Sequence, residues 1–372
     1  MKILLVTTNQ FGYLVDYHRY YTYLKKKGHE VKFVCSDYKK ERIEGNNPDI
    51  IYVQRVKNKI NKHYRFMKTI VDADRQHNFD RIMIHVFPMV SLLSLFIKKE
   101  KIFLDIRTVS IHRKQYKRNF FDFLIKIASR VYKNTSSITD VAAKQIGIRH
   151  YKLLPLGGAY FGNQLNGTPE NDKYKHIFDS GDFIIIYVGT LHKRRIIECV
   201  QGFHAYMQKH PGTKARFVII GTSFANELHE INAYIEKHGL QDMVHTLGYI
   251  PQTRLSYFFN HSHCGISFMP LTMPFPLQPN TKTYEYLVNG IPVIATATLD
   301  NIQMVETSKV PCGVIIQDNP KEIERAVGQI LENKHLYKKE DIAREFNKYE
   351  WDNLFDIYLG DALMLPKTRE IA

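Results

Sequence analysis

The stretch PNTKTYEYLVNGIPVIAT (279–296) carries two side chains able to do chemistry, Lys282 and Glu285, one turn apart in an expected helix. Backbone N–H groups at Thr281, Lys282 and Thr283 open that helix, and a helix start favours an anion in front of it. A carboxylate near a helix start is also what dipole compensation asks for. By position alone, Glu285 is therefore open between a ligand contact and a helix-stabilising charge. A second cluster, YVGTLHKRR (187–195), ends an apolar strand in Gly189 and sets Lys193, Arg194 and Arg195 before a helix. Cations are badly placed against the positive end of a helix dipole, so anion binding accounts for them better than a solvated face. VIIGTSFANE (218–227) repeats the strand–glycine–helix order with Gly221. Glycine in such a turn either lets backbone approach a ligand or simply makes the turn.

These residues need a scaffold that gathers strand ends and helix starts. In the first half, apolar runs alternate with helical patterns: KILLVTT (2–8), a helical segment over 13–27 closed by Gly28, VKFVC (31–35), IIYVQ (50–54), RIMIHV (81–86), KIFLDI (101–106) and KLLPL (152–156). Short continuous apolar runs are typical of parallel strands buried on both faces. The segment GGAYFGNQLNGTPENDKYK (157–175), rich in Gly and Asn and without periodicity, reads as a linker. Alternation then restarts with FIIIYVG (183–189), ARFVIIG (215–221), MVHTLG (243–248), HCGISFMP (263–270), IPVIA (291–295) and CGVII (312–316). The expected class is α/β with two Rossmann-like doubly wound domains, residues 1–165 and 176–345. An amphipathic C-terminal helix within 346–372 is expected to pack back towards the first of them.

At 372 residues the chain has room for two domains of ordinary size. A formal net charge of +15 asks for an acidic partner: a phosphorylated small molecule, an anionic membrane surface or nucleic acid. Cys35, Cys199, Cys264 and Cys312 form no CxxC pair, which argues against structural zinc or a disulfide framework and for a reducing compartment. MKILLVTT has too few apolar residues for a signal-peptide core. The apolar stretch near Met89–Ile97 is too short to span a bilayer. A cytoplasmic protein, at most peripheral to the membrane, is expected. The 17 histidines show no HExxH or comparable spacing, and Asp72-Ala-Asp74 lies in a helical segment away from strand ends, so no metal is expected. No G-x-G-x-x-G follows the first strand, against a nicotinamide or flavin cofactor.

One segment stands out for charge. IHRKQYKRNFFDFLIKIASRVYK (111–133) holds seven Lys and Arg, one acidic residue, and Phe120, Phe121 and Phe123. Its apolar face either packs on the sheet or, with its basic edge, rests on anionic lipid.

MKILLVTTNQFGY, LKKKGHEVKFV, YVGTLHKRR, FVIIG, HTLGYIPQTRLSYFF and KTYEYLVNGIPVIAT, in this order and spacing, resemble the large retaining family four of GT-B-fold glycosyltransferases, the glycosyl transferases group 1. The pieces cover nearly the whole chain, and the last is the most specific. The resemblance implies two Rossmann-like domains facing across a cleft, with a nucleotide-sugar donor in the C-terminal domain and the acceptor in the N-terminal one. It implies no cofactor and no metal. By position, Glu285 matches the glutamate that accepts hydrogen bonds from the ribose hydroxyls, and Arg195 the lysine that neutralises the donor diphosphate. Gly12 falls in the glycine turn near that diphosphate, and Tyr249 and Ile250 fall where backbone meets the base.

Departures from the family pattern are as informative. The glutamate expected eight residues before Glu285 is Leu277, and the arginine expected after the strand glycine is Thr190. Lys193, Arg194 and Lys282 are the candidates to supply the missing charge. Where many members have a histidine after an N-terminal strand, this chain reads LDIRTVSIH (104–112). Asp105 and Arg107 end that strand, as contacts for the transferred sugar or acceptor or as a structural ion pair.

The function implied is transfer of a sugar from a nucleotide donor to a glycan or lipid-linked glycan in cell-surface polysaccharide synthesis. One alternative is a sugar-nucleotide epimerase of the same fold. The other, motivated by charge alone, is a nucleic-acid-binding protein, against which the lack of any recognisable nucleic-acid module counts.

Overall fold

A computed structural model describes residues 1–110, 112, 114–162, 173–178, 181–273 and 275–363. Part of the expected linker (163–172), residues 111 and 113 of the basic segment, and 364–372 of the expected C-terminal helix region lie outside the described residues. The chain forms two units, Met1–Leu156 with Trp351–Ala372, and Gly157–Glu350.

In the first unit, β1 (Lys2–Thr7), β2 (Glu30–Asp37), β3 (Ile50–Gln54), β4 (Arg81–His85), β5 (Ile102–Ile106), β6 (Thr135–Ser137) and β7 (Lys152–Leu153) form one parallel sheet. Its order is β3-β2-β1-β4-β5-β6-β7. Helices α1 (Val15–Lys26), α2 (Lys59–His77), α3 (Gln115–Val131) and α4 (Asp140–Ile146) connect the strands, with a 3-10 turn at Val90–Leu95. Ile3 to Val6 are fully buried, as a central parallel strand covered on both faces requires. Asp72 and Asp74 sit inside α2, where they pair with Lys68 and Lys101.

β6 has no counterpart among the expected strands, because Thr135-Ser136-Ser137 is not an apolar run. All three residues are buried nonetheless, since each hydroxyl donates inside the unit, to Tyr132 O, Asp105 Oδ1 and Thr139 O. β7 is shorter than the expected 152–156, and Pro155, with no N–H to give a ladder, follows it. The C-terminal stretch is helical over Trp351–Leu354, Phe355–Leu359 and Gly360–Leu363. It belongs to this first unit: Phe355 meets Tyr20 and Tyr23 of α1 edge-on at 5.1 and 5.0 Å, and Lys26 pairs with Asp352 at 2.5 Å.

In the second unit, β8 (Phe183–Val188), β9 (Ala215–Ile220), β10 (Val244–Gly248), β11 (Cys264–Ser267), β12 (Val293–Thr296) and β13 (Gly313–Ile316) are again all parallel, in the order β10-β9-β8-β11-β12-β13. Its helices are α5 (Lys175–Phe178), α6 (Ile196–Lys209), α7 (Glu227–Lys237), α8 (Leu255–Asn260), α9 (Thr281–Val288), α10 (Leu299–Glu306), α11 (Pro320–Glu332) and α12 (Lys339–Phe346). Both sheets reverse direction of growth at the middle, beside β1 and β4 in one and beside β8 and β11 in the other. Doubly wound sheets bind ligands at such a switch point, outside the carboxyl ends of the strands. Gly189 and Lys282 lie there in the second unit.

Candidate functional site: a cationic cluster at the carboxyl ends of β8 and β11

α9 begins as the sequence suggests, but its first turn is not left free for a ligand. Asn280 caps it: its side chain accepts from Lys282 N at 3.3 Å, and its carbonyl accepts from Thr283 N at 3.0 Å. The expected row of open N–H groups at Thr281, Lys282 and Thr283 is thus reduced by two. What the cap provides instead is position. Asn280 Nδ2 donates to Ser267 Oγ at 2.6 Å, Ser267 meets Thr283 Oγ1 at 2.7 Å, and Thr283 donates to Asn301 Oδ1 at 2.6 Å. Asn301 Nδ2 closes the chain on Thr296 O at 2.8 Å. All five residues are buried, so this chain ties the start of α9 to β11, β12 and α10. On the next turn, the Tyr286 hydroxyl accepts from Val188 N at 2.9 Å and fastens the same helix to β8.

The side chain held in this way is Lys282. It is buried, with Nζ 5.3 Å from the centre of the Tyr187 ring, and no carboxylate pairs with it among the described residues. A Cβ on Gly189 would stand 2.5 Å from Lys282 Cε and 2.7 Å from Nζ, so the strand-end glycine is what makes room for the amine. Burial and the neighbouring Arg194 pull the Lys282 pKa down to about 8, against the favourable charge of Glu285. Arg194 is the second cation. Its Nε and Nη1 are buried without hydrogen-bond partners, and its guanidinium lies 5.1 Å from the Phe275 ring centre. Two adjacent cations at a switch point, with no salt bridge to either among the described residues, are an arrangement that suits an anion.

Glu285 is half-buried one turn beyond Lys282. Gly221 lies beside Gly189, where a Cβ would come within 1.8 Å of the Gly189 carbonyl oxygen. Its role as placed is therefore close packing of the ends of β8 and β9. Tyr249 and Ile250 follow Gly248 at the end of β10, Tyr249 exposed and Ile250 buried. Lys193 is exposed in the loop before α6, and its backbone N–H donates to Glu227 at 3.1 Å.

Arg195 is held by its own surroundings. It caps α6 with a left-handed backbone, φ 56°, and its guanidinium is taken up by two carboxylates. It bonds both oxygens of Glu198 at 2.7 Å and Asp318 Oδ2 at 2.6 Å. A cation already neutralised twice is a poor partner for a diphosphate. The position that matched the family lysine is thus held by two carboxylates, whereas among the described residues Arg194 and Lys282 form no salt bridge.

In the first unit, Asp105 and Arg107 are both buried. Arg107 Nε donates to Asp16 Oδ2 at 2.7 Å, while its terminal nitrogens reach Leu154 O at 2.5 Å and Pro155 O at 3.3 Å. Asp105 Oδ1 accepts from Ser136 at 2.7 Å and lies 4.0 Å from Arg107. Of the two readings offered by the sequence, this burial favours the structural ion pair over contact with a sugar. Burial raises the Asp105 pKa to about 6, against Arg107. His85, which sequence reasoning passed over, ends β4 nearby: its Nδ1 is 3.4 Å from Thr7 Oγ1, and burial with the Arg107 charge holds its pKa down to about 4. A histidine closing an apolar strand was the signal available. Gly12, at φ 83°, turns the chain after β1, where a Cβ would strike Ile43.

No group of three His, Cys, Asp or Glu is placed to hold a metal among the described residues, and the four cysteines are buried and free.

Residues 169–348 match the model of the family described as glycosyl transferases group 1. Most of the second unit is thus similar to the glycosyl transferases group 1. A search of the curated proteins finds no match. Among solved structures, a glycosyltransferase from Rickettsia africae superposes with a TM-score of 0.73 at 14% identity, over 98% of this chain and 99% of that one. Anabaena Alr3699/HepE in complex with UDP and glucose gives 0.69 at 12% identity, over 98% and 99%. A UDP-N-acetylglucosamine 2-epimerase from Listeria monocytogenes, so described provisionally, gives 0.66 at 13%, over 99% and 97%. At such identities the likeness establishes the fold, which is GT-B: two α/β units, each built on a parallel doubly wound sheet. The expected fold and family resemblance hold.

Proposed function

We propose that the chain is a retaining glycosyltransferase that takes a sugar from a nucleotide-sugar donor and passes it to a glycan or lipid-linked glycan acceptor in cell-surface polysaccharide synthesis. The observation that carries this reading is the buried Lys282 with Arg194 beside it, neither in a salt bridge among the described residues, at the carboxyl end of β8 in a unit similar to the glycosyl transferases group 1. A diphosphate supplies the acceptor oxygens these cations lack. Glu285, one turn on, suits the ribose: two vicinal hydroxyls donate to two carboxylate oxygens.

In the reaction, the bond between the sugar C1 and the diphosphate oxygen breaks while the acceptor oxygen bonds to C1 on the same face. The acceptor proton passes to the departing phosphate. The protein's share is to stabilise charge growing on the diphosphate and to hold the acceptor in line. Lys282 does the first without reorganising, because the hydrogen-bonded chain from Asn280 to Thr296 has already set α9, and Arg194 adds its charge from the loop before α6. Two fixed protein cations take the place a divalent metal would occupy, so transfer is proposed to be metal-independent. The site would work at the cytoplasmic face of the membrane.

The test begins with uridine, adenosine, guanosine and thymidine diphosphates in a thermal-shift assay. UDP comes first because the structurally similar Anabaena protein is in complex with it. A matching base at a hundredfold excess over its dissociation constant stabilises by about 2.7 kcal/mol, and a flat response to all four would sink the donor-site reading. Glu285→Ala is expected to lower transfer by about a hundredfold or more, with an unchanged circular dichroism spectrum. Isomerised donor formed from a nucleotide sugar alone would show the epimerase instead.

A further inference from the structure

α3 presents two apolar stripes in different directions. One runs through Leu124 and Ala128 to Tyr132 and enters the first unit, where Ala128 and Tyr132 are buried and the Tyr132 hydroxyl donates to Val90 O at 2.7 Å. The other, Tyr116, Phe120 and Phe123 at spacings of four and three, is 63%, 56% and 57% exposed. The 3-10 turn packed against α3 extends it, ending at Leu95 and Phe96, which are 73% and 64% exposed. Large apolar side chains exposed together mark a surface that something covers.

Charge identifies the occupant. Residues 89–101 and 114–133 hold nine Lys and Arg against two acidic residues. One of the two, Asp122, is turned to the Ser110 N–H at 2.8 Å. Among the described residues, Lys98, Lys99, Lys114, Lys117 and Lys126 pair with no carboxylate. A second copy of the chain would bring like charge against this face. Bases of a nucleic acid stack on aromatic rings but have no use for Leu95. A bilayer with anionic headgroups meets both requirements, since rings and aliphatic side chains enter the interface while lysines meet lipid phosphate. α3 follows β5, so its aromatic-bearing first half stands at the carboxyl edge of the first unit's sheet, the edge where such units bind ligands.

We propose that the face formed by the outer stripe of α3 and the 90–96 turn rests on an anionic lipid bilayer. The surface rests on the first unit alone; only its use in delivering a lipid-linked acceptor rests on the transfer reading above. The test is co-sedimentation of the full chain with vesicles of phosphatidylcholine, with and without about one-third phosphatidylglycerol. Binding about tenfold tighter to the anionic vesicles, weakened by salt, is expected. Phe120→Glu with Phe123→Glu should lose about tenfold, while a nucleoside diphosphate still produces the wild-type thermal shift. Lys114→Glu with Lys117→Glu, both exposed, is the second variant should the first unfold, and it should weaken binding several-fold. Wild-type protein that stays in the supernatant, or variants that pellet like wild type, overturn the proposal. So does self-association that the phenylalanine variants abolish while vesicle binding is absent, which would assign the face to a second copy. A missing nucleotide shift with vesicle binding intact counts only against the donor reading.

Discussion

Lys282 is the residue at which stability and binding oppose each other. Its folded pKa of about 8 lies below the ordinary lysine value of 10.5, through burial first and Arg194 second. Between these values the unfolded chain binds a proton that the folded chain does not, so this group's contribution to stability rises with pH across that window and is a penalty below it. A shift of this size corresponds to roughly 3 kcal/mol. Lys282→Met is therefore expected to raise the melting temperature of the ligand-free protein at pH 7, to lose that advantage towards pH 10.5, and to abolish the nucleotide-induced shift. In wild type, calorimetry should find nucleoside diphosphate several-fold weaker at pH 9 than at pH 7, as the amine gives up its proton. A Lys282→Met variant that binds like wild type would remove the amine from the site. Arg195 supplies the contrast. It is bonded to Glu198 and Asp318 on an exposed loop, so Arg195→Met should change donor KM by no more than about twofold. A tenfold rise in KM would restore it as the diphosphate cation. The sequence sets Arg194 and Arg195 side by side in one basic cluster, and the family resemblance singled out Arg195; which of them faces carboxylates depends on Asp318, 123 residues away along the chain.

At the scale of elements, α9 is placed by buried polar groups rather than by an apolar face alone. The relay from Asn280 through Ser267, Thr283 and Asn301 to Thr296 draws on two strands and two helices. Thr283→Val keeps shape and leaves Ser267 and Asn301 each short of a partner, a cost of about 2–4 kcal/mol. Urea denaturation should register that loss, and donor KM should rise with it, because Lys282 precedes Thr283 directly. An unchanged midpoint would mean the relay contributes nothing. The strands themselves were legible, since FIIIYV and ARFVII read as buried at sight, whereas β6 was not. Thr135-Ser136-Ser137 is a strand because hydroxyl donors find acceptors across the fold, and no local pattern encodes those acceptors.

At the scale of the molecule, the chain leaves its first unit at Leu156 and returns to it at Trp351. The returning segment buries Trp351, Leu354, Phe355 and Leu359, with Phe355 against Tyr20 and Tyr23. Truncation after Glu350 is expected to lower the thermal transition of the first unit by many degrees, as removal of buried aromatics does, and to leave nucleoside diphosphate binding by the second unit within about twofold. Equal loss in both units would show that the segment supports the whole molecule.

By itself the sequence determined the two doubly wound halves, the strand-end glycines and the place of the KTYEYLVNGIPV helix. Alternating apolar runs, glycine stops and helix starts are local signals, and a parallel sheet follows from them under general packing rules. Tertiary structure alone decided which charges are unpaired. Arg195 and Arg107 meet carboxylates distant in sequence, Asn280 closes a helix start that looked open, and Lys282 lies buried over Gly189 with Glu285 one turn away and no salt bridge among the described residues. Electrostatic satisfaction is a property of neighbours in space, and a linear pattern does not contain it.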